Sequence, residues 1–227
     1  PGLVVGLADR LDTLSGLFAA GMAPSGARDP FALRRAALGL VQALIAHNLD
    51  FDLRPALEAA AARLPIQASE ESQAACLAFI VERLRHYLLE GKARYDVVDA
   101  VLAAQGENPA RAVQAVKELA AWTARPDWRT ILPAFARCVR ITRDQPEIYP
   151  VNPAAFSQPA EHDLFAALQQ AESAPRKPGS VDDFLSAFLP MIPTIERFFE
   201  TVLVMSEDPD ERRVRLGLLQ RIAALSH

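Results

Sequence analysis

The sequence is poor in the features that β-structure and membrane spans require. It has 10 glycines among 227 residues, and it contains no run of alternating β-branched residues bounded by Asn-Gly or Gly-Gly turns. No apolar run reaches the ~20 residues that cross a bilayer, and no basic segment leads an apolar signal region at the N-terminus. Alanine and leucine dominate, and 51% of the residues are hydrophobic. We therefore predict a soluble, cytoplasmic, all-α protein with a substantial core.

Cysteines and catalytic signatures are equally sparse. The chain has 2 cysteines, Cys76 and Cys138, which are too few for a structural zinc site and lie in apolar segments typical of buried free thiols. No G-x-G-x-x-G or P-loop is present to hold phosphates, and no Ser, His and Asp set has the spacing that marks a nucleophile. The sequence predicts no catalytic residue and does not support nucleotide binding.

Apolar spacing predicts a central helix in the first half of the stretch from Ser72 to Ala103. One buried stripe has the i, i+3, i+4, i+7 spacing of a helix and consists of Leu77, Ile80, Val81, Leu84 and Leu88. Phe79, His86 and Leu89 lie round the other side, so both faces of the helix are occupied. Gly91 is predicted to end it in the left-handed conformation.

Turn and capping residues divide the chain before that helix. Gly21 is predicted to stop a first helix, and Asp29 and Pro30 to start a second one, with Phe31 on its buried side. The stretch 65–71 forms a natural joint. We place a domain boundary there, with domains 1–66 and 67–227.

Similar signals organise the chain after it. Asp127 is predicted to cap a helix in which Pro133 either causes a kink or marks a later start. Asp208 is predicted to open the last helix. The arginines of that helix are expected to face solvent, and they are Arg212, Arg213, Arg215 and Arg221.

Charge and aromatic residues point to RNA. A net charge of −4 argues against a generally basic surface, but five arginines lie from Arg125 to Arg143 against one acid, Asp127. Other arginines lie close in sequence to aromatic residues, and RNA-binding proteins use aromatics to stack on unpaired bases while arginines hold phosphates. We predict one continuous groove of nucleic-acid contacts formed by Arg83, Arg85, Arg94, Tyr95, Arg129, Arg137 and Arg140.

Two alternatives remain open at this point. In the first, the arginines are solvated surface on a helical protein-interaction scaffold. In the second, the chain is a metal phosphohydrolase, since the stretch L-A-D-R-L-D-T-L resembles the last metal-ligand helix of HD-domain phosphohydrolases, with Asp9 as the ligand. The four histidines all follow Asp9 instead of preceding it. We therefore treat Asp9 as a vestigial HD position and predict no metal.

Three long stretches resemble the β subunit of bacterial glycyl-tRNA synthetase, in the family's order. They are ADRLDTLSGLFAAGMAPSGARDPFALRRAALG (8–39), FIVERLRHYLLEGKARYDVVDAVLA (79–103) and IERFFETVLVMSEDPDERRVRLGLLQRIA (195–223). The resemblance implies the end of a degenerate HD-like domain followed by a helical, DALR-type anticodon-binding domain similar to that of arginyl-tRNA synthetase. Because an apolar pattern starts at Pro1 without a capping signal, we expect a C-terminal fragment of such a subunit.

The resemblance also carries expectations about partners and chemistry. It implies that the chain binds the anticodon arm of glycine tRNA and pairs, in the whole protein, with an α subunit. Glycine activation with ATP belongs to that α subunit. The chain alone is therefore expected to be non-catalytic and to need no cofactor.

Overall fold

The computed structural model describes residues 2–226, and this part of the chain is helical with no β-strand. The all-α prediction is confirmed. An isolated bridge joins Ser25 and Arg28 in a turn. The helices are α1 (Gly2–Ala19), α2 (Leu33–Ala46), α3 (Leu53–Ala61), α4 (Glu70–Glu90), α5 (Tyr95–Gln105), α6 (Pro109–Thr123), α7 (Trp128–Thr142), α8 (Pro159–Ser173), α9 (Val181–Phe188), α10 (Ile192–Thr201) and α11 (Pro209–Ala224), with 3-10 turns at Pro153–Ala155 and Leu189–Met191.

Contacts between helices divide the chain into unit 1 (Pro1–Ala120) and unit 2 (Ala121–His227). In unit 1, α1 packs against α2, α3 and α4, and α4 packs in addition against α2, α3 and α5. The predicted domain boundary after residue 66 falls in the turn between α3 and α4, inside unit 1, and it stays a prediction. No helix within residues 2–226 combines the length and apolar character needed to cross a membrane.

Helix α4 is the centre of unit 1, as its two apolar faces predict. The buried stripe contains Leu77, Ile80, Leu84 and Leu88. On the other side, the ring of Phe79 lies 5.3 Å from that of Phe18 in α1. Ser69 caps the helix by accepting a hydrogen bond from the backbone N–H of Ser72.

Two glycines were predicted to end helices in the left-handed conformation, and the structure agrees at one of them and differs at the other. Gly21 takes the left-handed conformation after α1, with φ of 73°. At the end of α4, Gly91 has φ of −70°, and the left-handed residue is Lys92, with φ of 65°. The N–H groups of Lys92 and Ala93 bond to the carbonyls of Leu89 and Leu88. This is the Schellman arrangement, in which the left-handed residue stands one position after the cap, so the prediction for Gly91 is wrong.

The start of α2 also differs from the prediction. The helix begins at Leu33, and Pro30 lies in the preceding turn. Asp29 still caps it, because its carboxylate accepts hydrogen bonds from the backbone N–H groups of Leu33 (2.8 Å) and Arg34 (3.0 Å). Phe31, predicted to be buried, is 48% exposed. The later start leaves Phe31 in the loop, outside the buried stripe of α2.

Unit 2 has its own core, in which α7 packs against α10 and α11, and α8 packs against α9, α10 and α11. Its largest fully buried side chains are Phe188 and Phe198. Helix α7 starts before Pro133 and continues past it, so the predicted later start is wrong. Asp127 stands at the N-cap position of α7, but its carboxylate bonds to Arg125 and makes no cap bond.

One predicted surface arginine belongs to this core. Arg215 is 2% exposed, so the expectation that it faces solvent is wrong. Its Nε donates to the buried carboxylate of Glu161 at 2.7 Å, and its Nη1 lies 2.8 Å from Glu211. Arg215 also donates to the carbonyl of Leu203 and the hydroxyl of Ser157. A buried guanidinium is tolerated there because almost every donor has a partner.

Both cysteines are buried free thiols, as predicted. Burial raises the pKa of the Cys76 thiol to about 12. The pKa of Cys138 is also raised to about 12 by burial. Neither thiol is therefore a nucleophile at neutral pH.

Candidate nucleic-acid interface

Helix α7 presents an arginine-rich face in unit 2. Its buried stripe, Ile131, Ala134 and Cys138, faces the core against α11. An α-helix has about 3.6 residues per turn, so residues about two positions away from a buried one lie on the opposite side. The side chains of α7 outside the buried stripe therefore point away from the core. The exposed residues of α7 include Arg129, Arg137 and Arg140, three of the predicted contacts.

Among residues 2–226, none of these three arginines has a carboxylate partner. Arg129 makes no side-chain hydrogen bond or ion pair among the described residues. Arg140 donates from Nε to the carbonyl of Ala136 at 3.2 Å. The charge of each arginine is therefore not neutralised by an acid, and most of the guanidinium donors stay available. This is the electrostatic state that a phosphate contact requires.

Arg137 differs from its two neighbours because it lies on an aromatic ring. Its guanidinium carbon is 4.0 Å from the ring centroid of Phe199 in α10. Such contact stabilises a cation and holds the guanidinium plane in one orientation. An arginine plane is also a surface on which an unpaired base stacks. Arg137 is therefore suited to hold a base as well as a phosphate.

The flanking arginines of this stretch are paired with acids. Arg125 bonds to Asp127 through Nε at 2.8 Å and Nη2 at 2.6 Å. Arg143 lies 3.4 Å from Asp144. The uneven charge that the sequence shows between 125 and 143 thus lies on α7 itself, at Arg129, Arg137 and Arg140.

In unit 1, two of the predicted arginines are already engaged. Arg85 bonds to Asp99 at 2.6 and 3.2 Å, and Arg94 bonds to Asp96 at 3.1 and 2.6 Å. The hydrogen bond from Arg85 holds the pKa of Asp99 below its usual value, and Arg94 does the same for Asp96. A phosphate would have to displace a carboxylate at both positions. These two arginines are weaker candidates than those of α7.

The other two predicted residues of unit 1 have contrasting environments. Arg83 lies over the ring of Phe79, 5.4 Å from its centroid, and its Nε is buried without a hydrogen-bond partner. Tyr95, on the first turn of α5, is 70% exposed. A ring exposed to this extent contributes little to the core and is accessible to a base. The predicted groove joins residues of both units, and it stays a prediction.

Asp9, the vestigial HD position, is exposed on α1. Within residues 2–226, no three side chains of His, Cys, Asp or Glu come together as a metal ion requires. That the chain works without a metal remains a prediction.

Comparison with known proteins agrees with the resemblance seen in the sequence. Residues 1–103 match the family model described as glycyl-tRNA synthetase beta subunit. The glycine–tRNA ligase beta subunit of Moorella thermoacetica is 37% identical over 237 residues, which include 99% of this chain. Over 99% of its length, the chain is similar to glycyl-tRNA synthetase beta subunits. It spans 34% of the length of that relative.

Other members of the beta-subunit family match the same extent of the chain. The beta subunit of Anaeromyxobacter dehalogenans is 36% identical and covers 99% of the chain, which is 33% of that relative. The chloroplastic/mitochondrial glycine–tRNA ligase 2 of Arabidopsis thaliana is 33% identical over 99% of the chain, which corresponds to 21% of its own length. These relatives are aminoacyl-tRNA synthetases or their subunits, so the predicted resemblance is confirmed.

Two features near the predicted contact residues were not predicted from the sequence. The first is Phe199 in α10, whose ring packs against the guanidinium of Arg137 although it lies some sixty positions further along the chain. In unit 1, a groove of about 450 Å³ between α4 and α5 has an apolar floor that includes Leu77, Val81 and Leu102. The groove is bordered by the ion pairs of Arg54 with Glu107 and Arg85 with Asp99.

Proposed function

We propose that this chain binds the anticodon arm of glycine tRNA as part of a glycyl-tRNA synthetase beta subunit. The exposed face of α7 is the binding surface, with Arg129 and Arg140 on phosphates and Arg137 stacked on an unpaired base. The secondary candidates are the predicted residues of unit 1, which are Arg83, Arg85, Arg94 and Tyr95. The observation that carries the proposal is the set of three α7 arginines for which the described part of this acidic chain provides no carboxylate partner.

We propose that catalysis takes place outside this chain. Glycine activation with ATP is attributed to the alpha subunit of the same enzyme, and the present chain supplies RNA recognition in the cytoplasm. We assign it no catalytic residue, metal or cofactor. Residues 1–66 are proposed to form the end of an HD-like domain, and residues 67–227 a DALR-type anticodon-binding domain. The similarity to beta subunits supports this division of labour.

The test is a binding titration with a glycine tRNA transcript, measured by fluorescence anisotropy at several salt concentrations. Arg129→Ala and Arg140→Ala should each weaken binding and lower the slope of log affinity against log salt by about one unit or less. Arg213→Ala is the matched control, because Arg213 is an exposed arginine of the same unit that is paired with Asp210 at 3.6 Å. Absence of binding at low salt would refute the proposal.

The second candidate, a helical protein-interaction scaffold, has one observation in its favour. The apolar groove between α4 and α5 has the dimensions of a binding cleft and is not lined by the free arginines of α7. Binding carried by that groove would depend little on salt, because apolar contact dominates it. Leu102→Arg should abolish protein binding in this groove. If α7 is the tRNA-binding surface, the same substitution should leave tRNA affinity unchanged.

A further inference from the structure

We propose that the loop joining α1 to α2 (residues 20–32), together with Arg35 in the first turn of α2, is a second contact surface for RNA. The proposal rests on the proposed function only in naming a tRNA as the partner. It concerns residues that the proposed anticodon site does not use. We refer to Arg28, Phe31 and Arg35 as the loop surface.

The loop is held in one conformation by hydrogen bonds of its own. Ser25 and Arg28 exchange backbone bonds of 3.2 and 2.9 Å, and Arg34 donates from Nη2 to the carbonyl of Gly26 at 2.6 Å. Asp29 adds two bonds to the backbone of α2. The loop is therefore fixed by polar contacts, although its side chains are largely exposed. A surface that is fixed before binding loses little entropy when a ligand docks.

Phe31 is exposed next to a strained residue. Ala32 has φ of 55° and ψ of 36°, a left-handed conformation that non-glycine residues rarely adopt. The next residue, Leu33, is fully buried, whereas Phe31 keeps 48% of its surface in water. Met22, in the same loop, is 49% exposed. The chain thus adopts an unfavourable backbone conformation while leaving a large aromatic ring accessible.

The sequence around Phe31 carries more basic than acidic residues. Asp29 is the one acid between Thr13 and Leu49, and its carboxylate is occupied by capping α2. The side chains of Arg28 and Arg35 make no hydrogen bond or ion pair among residues 2–226. An anionic partner can therefore bind both guanidinium groups without displacing an acid of the protein.

An exposed aromatic ring that is close in sequence to unpaired arginines fits RNA better than an acidic peptide. The ring offers a face for an unpaired base, and the arginines offer donors for the adjoining phosphates. An acidic peptide would use the arginines but has no need of the ring. We therefore identify the partner as a part of the tRNA outside the anticodon arm.

The test compares two probes on the 227-residue chain: a complete glycine tRNA transcript and its isolated anticodon stem-loop. Phe31→Ala should weaken binding of the complete tRNA about 5-fold or more, the lower range for losing one base stack. The double variant Arg28→Gln with Arg35→Gln should lower the salt slope for the complete tRNA by about two units. Affinity for the stem-loop should stay unchanged in all variants.

Matched controls are available in the same unit. Arg63→Gln removes an exposed arginine that likewise makes no side-chain bond to any described residue, and Ile66→Ala truncates an apolar side chain that is 44% exposed. Both should leave both affinities unchanged. Thermal melting by circular dichroism checks folding, and the double arginine variant carries the test if Phe31→Ala lowers the melting temperature.

Three results would overturn the proposal. Loop variants that bind complete tRNA like the controls would show that the loop surface does not contact RNA, while the α7 variants would still test the proposed function separately. Equal losses for both probes would show that the loop belongs to the anticodon site. Unchanged RNA affinity with lost binding of a polyglutamate peptide would assign the surface to an acidic protein.

Discussion

The buried ion pair of unit 2 supports a prediction about stability. Arg215 and Glu161 each have side chains that are 2% exposed, and their Nε and Oε1 atoms lie 2.7 Å apart. Replacing Arg215 with alanine leaves the Glu161 carboxylate buried, with the backbone N–H groups of Ser157 and Gln158 as its remaining strong donors. We expect Arg215→Ala to reduce the free energy of unfolding of unit 2 by about 3 to 5 kcal/mol.

A domain typically has about 5 to 15 kcal/mol of stability, so this loss is a large fraction of the total. Divided by the typical dependence of the unfolding free energy on urea concentration, it would move the urea midpoint by roughly 1 to 3 M. Tryptophan fluorescence is a suitable signal, because both tryptophans, Trp122 and Trp128, lie in unit 2. Glu161→Gln should cost less than Arg215→Ala, since Arg215 keeps its bonds to Glu211 and to the carbonyl of Leu203.

Arg213→Ala serves as the control, because Arg213 is exposed and its pairing with Asp210 is a surface ion pair worth little. It should change the unfolding free energy by no more than about 0.5 kcal/mol. An Arg215→Ala midpoint equal to that of Arg213→Ala would refute the reasoning. Such a result would mean that water reaches the Glu161 carboxylate when the guanidinium is removed.

Three further predictions concern single side chains. Tyr95→Ala should lower tRNA affinity by about 1 to 3 kcal/mol if the ring stacks on a base, and thermal melting should be unchanged because the ring is exposed. Arg85→Ala should weaken tRNA binding less than Arg140→Ala, because Arg85 is already bonded to Asp99; equal losses in anisotropy titrations would contradict this. Cys76 and Cys138, with pKa values raised to about 12, should react with a thiol reagent near pH 8 only after denaturation, and rapid labelling of the folded chain would contradict their burial.

Helix positions were predictable because they depend on local signals. The buried stripe of α4 follows from spacing within one helix, and Gly21 ends α1 as its conformational freedom predicts. The left-handed residue after α4 was missed because glycine is the commonest residue there, but Lys92 takes that position instead. Phe31 was misplaced for a related reason, since Asp29 caps α2 from four residues before its first turn.

The state of each arginine could not be predicted, because it depends on residues distant in sequence. Arg215 looks like a surface residue of an amphipathic helix, and its partner Glu161 lies in α8. Arg85 is neutralised by Asp99 from α5, and Arg137 is supported by Phe199 from α10. Sequence spacing identifies which arginines are helical, whereas tertiary contacts decide which of them are free to bind an anion.

The distribution of free arginines also bears on the strength of RNA binding. The chain carries a net charge of −4, so its surface as a whole repels RNA at separations within a Debye length of about 8 Å. Attraction must then come from the few places where arginines lack acid partners. If Arg137 contacts a phosphate in addition to its base, the three α7 arginines together should make log affinity fall with log salt with a slope of about −2 to −3. A slope near −4 would require further phosphate contacts, and Arg28 and Arg35 are the pair in unit 1 placed to supply them, because no carboxylate in the described chain neutralises either one.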